Sequence, residues 1–395
     1  MAAITPADQS ESTDQKPAEN GKGETVSAPD RPRARLGETQ VVQLHNSDSE
    51  DEGDEVTVPE DGDEEAFNDP DFLKDYPDDT TDLHLQHLRL ATENLLDLHF
   101  PRFGKHLQRL CLRQNSLTSP LPAEAFEGLE ALEELDMYDN KLGHRVHDEE
   151  LAGCPNLQSL DFSYNNLRHL PSLPSQKHIH TIYFVQNKIS KIEPGQLDWA
   201  ADTLKSLELG GNRIRIIENL EKLTLLEELW LGKNKIRGLE NLSTFKHLKI
   251  LSLQSNRITK MENLEELESL EELYLSHNGL TKLEGLEKNL KLKTLDIGGN
   301  QINKIENISH LKDLEEFWAN SNKIPDLRDL DSQLAVLPNL ETVYLEHNPC
   351  QTEDMAGYRR KVILALPQVK QVDATNASHL VTAIDTFAFD RINEQ

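Results

Sequence analysis

The chain has 395 residues, of which 70 are Asp or Glu and 41 are Lys or Arg, so its formal net charge is −29. A protein this acidic is a poor nucleic-acid binder, because phosphate contacts require a basic surface. The sequence shows no signal peptide and no apolar run near the ~18 residues of a transmembrane helix, so we expect neither secretion nor membrane insertion.

The three cysteines, Cys111, Cys154 and Cys350, have neither the spacing of metal ligands nor an even-numbered disulfide framework. This usage is typical of a protein that stays in a reducing compartment. We therefore expect the protein in the nucleus and cytoplasm.

Residues 1–79 are rich in Pro, Ser, Asp, Glu and Gly and poor in large apolar side chains, which predicts a disordered acidic tail. The segment Glu50–Glu65 contains ten acidic residues, and we interpret it as a solvated acidic tract. Ser47 and Ser49 lie just before it in NSDSEDE. They are candidate phosphorylation sites for an acidophilic kinase, which would add further negative charge.

A leucine pattern begins at Leu83, Leu85 and Leu88 and then recurs with an asparagine at the end of each copy. Five consecutive copies read LEELWLGKNKI, LKILSLQSNRI, LEELYLSHNGL, LKTLDIGGNQI and LEEFWANSNKI, and their asparagines are 22 residues apart. A fixed period of this length predicts a solenoid, and L-x-x-L-x-L-x-x-N is the leucine-rich-repeat form. The steps before this block are 25, 25, 22 and 25 residues, which predicts small insertions on the convex side. The full series of asparagines is Asn115, Asn140, Asn165, Asn187, Asn212, Asn234, Asn256, Asn278, Asn300, Asn322 and Asn348.

One copy, Leu226–Asn234, shows what each repeat must do. Leu229 and Leu231 alternate with polar or outward residues, which predicts a strand whose leucines point inward. An inward Asn234 amide can satisfy backbone groups where the chain turns. The return leg, Ile236 to Leu248, has apolar residues at three-residue spacing, which favours short 3₁₀ or helical turns.

These features predict an α/β solenoid, a leucine-rich-repeat horseshoe of about 11–12 repeats over residues 80–348 with its parallel strands on the concave face. Residues 349–395 would form a C-terminal cap and tail. Tyr358, Val362, Leu364, Leu366 and Val369 are apolar within an otherwise charged segment, which predicts a short capping helix followed by an extended segment to residue 373. Arg359, Arg360 and Lys361 of this helix are expected to point outward.

The strand position between the two leucines faces outward, and the fold does not dictate its side chain. Five of the eleven residues there are aromatic and four are carboxylates, a composition that favours a binding face for a folded, partly basic protein. The alternative is that large side chains simply cover a β-surface. The preceding position adds Glu134, Glu228, Glu272 and Glu316. The column reads Cys111, Asp136, Asp161, Tyr183, Glu208, Trp230, Ser252, Tyr274, Asp296, Trp318 and Tyr344.

Neighbouring carboxylates such as Asp296 and Glu316 do not by themselves predict catalysis. Acid–base chemistry needs a water-excluding pocket, which an open solenoid face rarely supplies. The repeats bring together no nucleophile–base pair and contain no phosphate-binding loop, and His277 and His347 fit turn positions. We therefore expect no enzyme activity, no cofactor and no metal site.

The repeats IRIIENLEKLTLLEELWLGKNKI, LEELYLSHNGLTKLEGLE and ENISHLKDLEEFW, together with YRRKVILALPQVKQVDA, resemble the leucine-rich-repeat regulatory subunit 7 family of protein phosphatase 1. The resemblance covers roughly residues 83–374. It implies a non-catalytic subunit that binds the phosphatase catalytic subunit and controls its activity, maturation or localisation. It also implies a second inhibitory subunit in a ternary complex.

The resemblance further implies that the partner contacts lie on the concave face, and that binding uses this folded face, since no free Arg/Lys-Val-x-Phe docking peptide is evident. Carried onto this chain, the contacts fall on Asp161, Tyr183, Glu208, Trp230, Asp296, Glu316, Trp318 and Tyr344. The alternative that the 22-residue repeat leaves open is a structural adaptor of a cytoskeletal motor or cilium.

Overall fold

A computed structural model of the chain describes residue 67 and residues 69–377. Their strands stack into one sheet of fourteen, of which the first twelve are parallel and follow one another in chain order. Eleven of these strands carry the predicted column, and one precedes them, so the predicted solenoid is confirmed. The twelve strands are Asp82–His84, Arg109–Cys111, Glu134–Asp136, Ser159–Asp161, Thr181–Tyr183, Ser206–Glu208, Glu228–Trp230, Ile250–Ser252, Glu272–Tyr274, Thr294–Asp296, Glu316–Trp318 and Thr342–Tyr344.

The core is a continuous column of leucine, isoleucine and phenylalanine along the inside of the coils. Leu229 and Leu231 are fully buried, as are the equivalent residues of the neighbouring repeats. Phe162 and Phe184 stack within it, with ring centroids 6.0 Å apart. Each fully buried side chain of this size contributes roughly 1.5–3 kcal/mol. Because the leucines of one coil are covered only by the next coil, stability depends on stacking.

The predicted asparagines form a ladder along this core. In Asn234, Nδ2 donates to the carbonyl oxygens of Leu209 at 2.9 Å and Leu231 at 3.1 Å, while Oδ1 accepts from the N–H of Ile214 at 3.0 Å. The same pattern recurs from Asn115 to Asn348. Each amide therefore joins two successive coils and satisfies backbone groups that water cannot reach.

The residue before each ladder asparagine lies in the left-handed backbone region. His277 and His347 have φ of 55° and 60°, which agrees with their interpretation as turn residues, and glycine occupies the position at Gly211 and Gly299. A second asparagine ladder, which we did not predict, lies on the convex side. There Nδ2 of Asn241 donates to the Ile217 carbonyl at 2.7 Å, and Asn219, Asn263 and Asn307 repeat the contact.

The convex legs of the regular block differ from the expectation. Between Asn234 and Asn322 the structure has turns and bends, with no helix or 3₁₀ segment. These legs contain isolated turns instead, such as the one in which the N–H of Phe245 donates to the Leu242 carbonyl at 3.1 Å. Helical segments occur instead where repeats are longer or at the ends, at Asn94–Asp97, Phe100–Phe103 (3₁₀), Ala123–Phe126, Asp148–Leu151, Asp198–Ala200 (3₁₀), Leu330–Gln333, Pro349–Thr352 and Tyr358–Ala365.

The longer early repeats also form a second, two-stranded parallel sheet, in which Gly143–His144 pairs with Asn166–Leu167. The additional residues of these repeats therefore form local structure beside the main sheet. None of the helices in the part that the structure describes is long and apolar enough to span a membrane.

Described residues before the predicted start of the solenoid at 80 pack against its first coil. Leu73 is buried in the core, and Phe67 and Phe72 pack against it. These apolar side chains give residues 69–79 enough buried surface to cover the first coil, although the segment is acidic. Ser47, Ser49 and the acidic tract Glu50–Glu65 lie outside the described residues, so the predictions for them stay predictions.

The C-terminal cap consists of a helix and a hairpin. The helix Tyr358–Ala365 precedes the strand Gln371–Val372, which adds to Thr342–Tyr344 in parallel and pairs antiparallel with Thr375–Asn376. Asp373 follows this strand, in register with Tyr344, and its Oδ1 accepts from the N–H groups of Leu345 at 2.9 Å and Glu346 at 3.0 Å.

Two side chains of the cap depart from the expectation. Arg359, predicted to point outward, is half-buried and donates to the carbonyl oxygen of Val372 at 2.7 Å. Leu364, predicted as an apolar residue of the cap, is 65% exposed, because the helix buries its Tyr358 and Val362 face instead.

A candidate partner-binding face

The register of the sheet places the predicted column on one face. Glu208, Trp230 and Ser252 are paired neighbours, and the pairing continues through Tyr274, Asp296 and Trp318 to Tyr344. Since neighbouring strands lie about 4.8 Å apart, these side chains form a line across the concave surface. The eight predicted contact residues therefore lie on a single face, and whether they bind a partner stays a prediction.

Four aromatic side chains form a continuous row over the C-terminal half of this face. The ring centroids of Trp230 and Tyr274 are 6.3 Å apart and nearly parallel, at 22°. Tyr274 meets Trp318 edge to face at 6.5 Å, and Trp318 meets Tyr344 in the same way at 5.7 Å. Such pairs contribute about 0.5–1.5 kcal/mol each beyond the area that they bury. We call these four residues the aromatic row.

The row is continuous because small or short side chains lie between its members. Ser252 lies on the strand between Trp230 and Tyr274 and is fully buried, and Asp296 lies between Tyr274 and Trp318 and is 7% exposed. The large rings lean across these positions and touch. Trp230, only 7% exposed, is thus covered by neighbours on the face and is not part of the leucine core.

Carboxylates of the preceding column flank the row. The Tyr274 hydroxyl donates to Glu272 Oε2 at 2.6 Å, and Trp230 Nε1 donates to Glu228 Oε2 at 3.4 Å. Burial, and then the hydrogen bond to Glu272, raises the pKa of Tyr274 well above its ordinary value. The phenol therefore stays protonated, and the row presents neutral rings beside half-exposed acids such as Glu316.

The column carboxylates have a different environment. Asp161 Oδ1 accepts from the backbone N–H of Ser163 at 2.8 Å, and Asp296 Oδ1 accepts from that of Gly298 at 3.0 Å, so both close a local turn where the strand ends. Burial raises the pKa of the Asp296 carboxyl above its ordinary value, opposed by hydrogen bonds from Ser276 and Gly298. Glu208, at 2% exposure, is also buried.

The predicted contact residues thus separate by accessibility. Asp161, Glu208, Trp230 and Asp296 form the floor of the face, each less than a tenth exposed. The accessible members are half-exposed: Tyr183, Glu316, Trp318 and Tyr344. Periodicity alone could not distinguish the two groups, because it reports which way a side chain points and not how its neighbours cover it.

Sequence reasoning missed the aromatic contacts in the turns that follow the strands. Tyr138 and Tyr164 lie with ring centroids 4.7 Å apart, and the Arg113 guanidinium stacks on the Tyr138 ring at 4.2 Å. Arg113 also pairs with Asp136 at 3.3 Å. The strings Arg113-Gln114-Asn115, Tyr138-Asp139-Asn140 and Tyr164-Asn165 carried this signal. Within the described residues, no group of three or more His, Cys, Asp or Glu is placed to hold a metal ion.

Comparisons with protein families identify the repeat. Residues 203–295 match a family described as Leucine-rich repeat, and residues 290–332 match one described as Leucine Rich repeats (2 copies). A further single Leucine Rich Repeat matches residues 156–176. The fold class predicted from the 22-residue period is therefore confirmed.

Comparisons with curated proteins identify relatives. Over 131 residues the chain is 45% identical to the protein phosphatase 1 regulatory subunit SDS22 of Saccharomyces cerevisiae, covering 32% of this chain and 37% of the relative. Over 126 residues it is 36% identical to the protein phosphatase 1 regulatory inhibitor subunit PPP1R7 homolog of Arabidopsis thaliana, covering 31% and 37%. A segment of 37 residues is 65% identical to the human protein phosphatase 1 regulatory subunit 7, covering 9% of this chain and 10% of the relative.

The predicted resemblance to leucine-rich-repeat regulatory subunits of protein phosphatase 1 is thus confirmed. The matched region spans only 37% of the length of the yeast and Arabidopsis relatives. No name among these relatives favours the alternative of a cytoskeletal or ciliary adaptor.

Solved structures agree on the fold. The leucine-rich-repeat protein LIC12759 of Leptospira interrogans aligns with a TM-score of 0.61 and 26% identity, over 74% of this chain and 71% of that protein. An internalin, InlF, of Listeria monocytogenes aligns with a TM-score of 0.57 and 22% identity, over 75% and 87%. The likeness to the internalin shows the fold alone.

Proposed function

We propose that the chain is a non-catalytic regulatory subunit that binds the catalytic subunit of a type 1 protein phosphatase through its concave face. The observation that carries the proposal is the aromatic row, Trp230, Tyr274, Trp318 and Tyr344, on a face flanked by carboxylates. The names of the relatives supply the partner, and the structure supplies a surface suited to one.

The row has the properties of a protein-binding hot spot. Trp and Tyr dominate interface energetics because they bury large areas at low cost in conformational entropy. Trp318 and Tyr344 are half-exposed, and their rings are already fixed by edge-to-face contacts, so little ordering remains for binding. The row is therefore preorganised for docking.

The flanking acids define the charge of the partner. Glu272 and Glu316 lie two strands apart along the same column, on either side of Thr294, and both are half-exposed. A basic surface opposite them would be oriented by their charge and would associate faster. We therefore expect the partner to present Lys or Arg next to an apolar patch that receives the rings.

The decisive experiment replaces Glu316 and Trp318 with alanine together and measures the affinity for purified catalytic subunit by titration. Hot-spot truncations cost about 2 kcal/mol or more each, so binding should weaken at least about a hundredfold. Both side chains lie outside the leucine core, so the variant should remain folded, with its thermal unfolding midpoint lowered by the loss of the ring contacts of Trp318.

A matched control removes one acid and one large apolar side chain from the opposite surface. Glu268 and Leu290 are exposed on the return legs, and Leu290 is 54% exposed. The Glu268→Ala, Leu290→Ala variant should bind as the wild type does. Affinity of the Glu316, Trp318 double variant equal to that of this control would refute the assignment of the face.

The proposal extends to the effect of binding and to location. A phosphatase assay with added chain, in which the metal content of the catalytic subunit is also measured, separates inhibition, activation and chaperoning. Addition of a second inhibitory subunit to the purified pair tests for a ternary complex, which would elute as a single three-protein peak. Imaging of the tagged chain tests the expected nuclear and cytoplasmic location.

A further inference from the structure

One edge of the solenoid is basic in a chain that is strongly acidic overall. The four residues that follow each ladder asparagine form this edge, and from residue 188 to residue 260 they include no Asp or Glu. We call the eight cationic side chains of these four repeats the basic edge: Lys188, Lys191, Arg213, Arg215, Lys235, Arg237, Arg257 and Lys260.

Backbone hydrogen bonds hold these cations in line. The N–H of Arg213 donates to the carbonyl of Ile189, and the N–H of Arg257 donates to that of Ile236, both at 2.8 Å. Successive repeats therefore follow at roughly the 4.8 Å spacing of paired strands. The isoleucines between the cations are fully buried, so the charged side chains project outward, and all but the half-buried Lys235 are exposed.

Most of these charges have no counterion in the described part of the chain. Lys191 pairs with Glu193 at 3.2 Å and Lys260 with Glu262 at 2.6 Å, whereas the other six form no ion pair with a described residue. The opposite edge consists of the residues that precede each strand. There the Glu227 carboxylate forms ion pairs with both Lys205 and Lys249. Unneutralised like charges on neighbouring coils repel one another, so this row favours an acidic binding partner.

We propose that the basic edge binds the acidic tract Glu50–Glu65 of the same chain. The tract carries ten acids in sixteen residues, which is the charge complement of the edge. An external polyanion such as nucleic acid is disfavoured, because the net charge of −29 repels it at long range. A tethered segment avoids this penalty, since its effective concentration is in the millimolar range whatever the net charge.

The chain is long enough for this contact. From residue 57, near the middle of the tract, ten residues lead to Phe67, which packs against the core, and ten extended residues span up to about 35 Å. Seven strand spacings separate Asp82–His84 from Ile250–Ser252, which is about 34 Å along the sheet. The tract can therefore reach the whole edge without displacing any described residue.

The test is zero-length coupling of carboxylates to lysines with a carbodiimide on the full chain, mapped by mass spectrometry. We expect the 50–65 peptide to couple to Lys188, Lys191, Lys235 and Lys260 within the monomer. The exposed Lys205 and Lys249 of the opposite edge are internal controls and should couple to this peptide far less. Salt at about 1 M, where the Debye length is ~3 Å, should abolish the preference.

A matched variant removes charge while leaving every coupling lysine in place. With Arg213, Arg215, Arg237 and Arg257 all replaced by Gln, the yield of edge coupling should fall about tenfold, and with the same four replaced by Lys it should recover. Equal coupling to both edges, no loss in the Gln variant, or coupling found only in covalent dimers would each overturn the proposal. The result does not depend on the partner of the concave face, since the two surfaces share no residue.

Discussion

The two halves of the concave face use the same repeat position for different purposes. In the N-terminal half, from Arg109–Cys111 to Ser206–Glu208, the outward column at the last residue of each strand holds carboxylates such as Asp161 and Glu208 that are almost fully buried. In the C-terminal half, from Glu228–Trp230 to Thr342–Tyr344, it holds the aromatic row.

The difference shows that a repeat fixes the direction of a side chain and leaves its role to its neighbours. Asp161 closes a turn with the N–H of Ser163, so its first function is local. Trp318 packs edge to face against Tyr274 and Tyr344 and stays half-exposed, so it is available to a partner. Binding energy should therefore concentrate in the C-terminal half, whereas the ladder should stabilise both halves equally.

The largest expected effect is the loss of a ladder asparagine. Asn300 joins Leu275 and Leu280 of the preceding coil to its own turn, and Asn165 does the same in the N-terminal half. Alanine at either position leaves several buried backbone groups unsatisfied, and we expect a cost of about 3 kcal/mol in the free energy of unfolding. Urea denaturation checks this value. The exposed Asn303→Ala is the control and should lie within about 0.5 kcal/mol of wild type.

Unequal costs at Asn300 and Asn165 would show that the two halves unfold separately. A cost below about 1 kcal/mol at both positions would contradict the role given to the ladder, because an amide with four buried hydrogen bonds cannot be removed so cheaply.

A smaller effect separates the halves in binding. Glu316→Gln removes a half-exposed charge from the C-terminal half, and we expect a loss of about fivefold in affinity for the catalytic subunit, with a weaker dependence on salt. Asp161→Asn removes a buried charge while keeping the oxygen that accepts from Ser163, and its affinity should stay within about twofold of wild type. A larger loss at Asp161 than at Glu316 would reverse the comparison.

The smallest effect is a pH dependence. The pKa of Asp296 is raised by burial above its ordinary 3.8, so its charged form is disfavoured in the folded state. Burying the ionised carboxylate lowers the free energy of unfolding. This loss is absent below the unfolded-state pKa and grows as pH rises through the folded-state pKa. Asp296→Asn should therefore gain stability relative to wild type as pH rises above 3.8, measured as thermal midpoints across that range.

Asp326→Asn is the control of opposite sign. The hydrogen bond from Arg328 lowers the pKa of Asp326, so this carboxylate stabilises the fold above its unfolded-state pKa. The Asn variant should lose stability relative to wild type as pH rises. Parallel trends in the two variants would contradict the pKa direction assigned to one of them.

Much of the fold follows from the sequence because the repeat is redundant. Eleven asparagines at the same position specify the ladder, and the alternation around Leu229 and Leu231 specifies the strands. The convex legs could not be predicted in the same way. Apolar spacing of three residues suits a 3₁₀ turn and an irregular turn equally, and the short leg from Ile236 to Leu248 forms the latter.

The sequence predicted one column of contact residues, whereas in the structure these residues form a buried floor and a half-exposed layer above it. In the structure, Trp230 is covered and Trp318 stays half-exposed, because neighbouring rings reach across Ser252 and Asp296. No single repeat encodes this arrangement. The basic edge was visible as Arg-Ile-Arg and Lys-Ile-Arg strings after Asn212 and Asn234. The net charge of −29, which sums over the whole chain, does not reveal this local excess of positive charge.

The cap has a consequence for assembly. A parallel sheet of twelve strands ends in unpaired backbone groups, and such an end can template the addition of another chain. Here Gln371–Val372 pairs with the last coil and is then covered by the antiparallel Thr375–Asn376, which reverses the chain direction. Asp373 follows this strand and accepts from the N–H groups of Leu345 and Glu346 of the last coil. Backbone donors that another coil could use are therefore already satisfied within the chain, which makes this end a barrier to head-to-tail fibre growth.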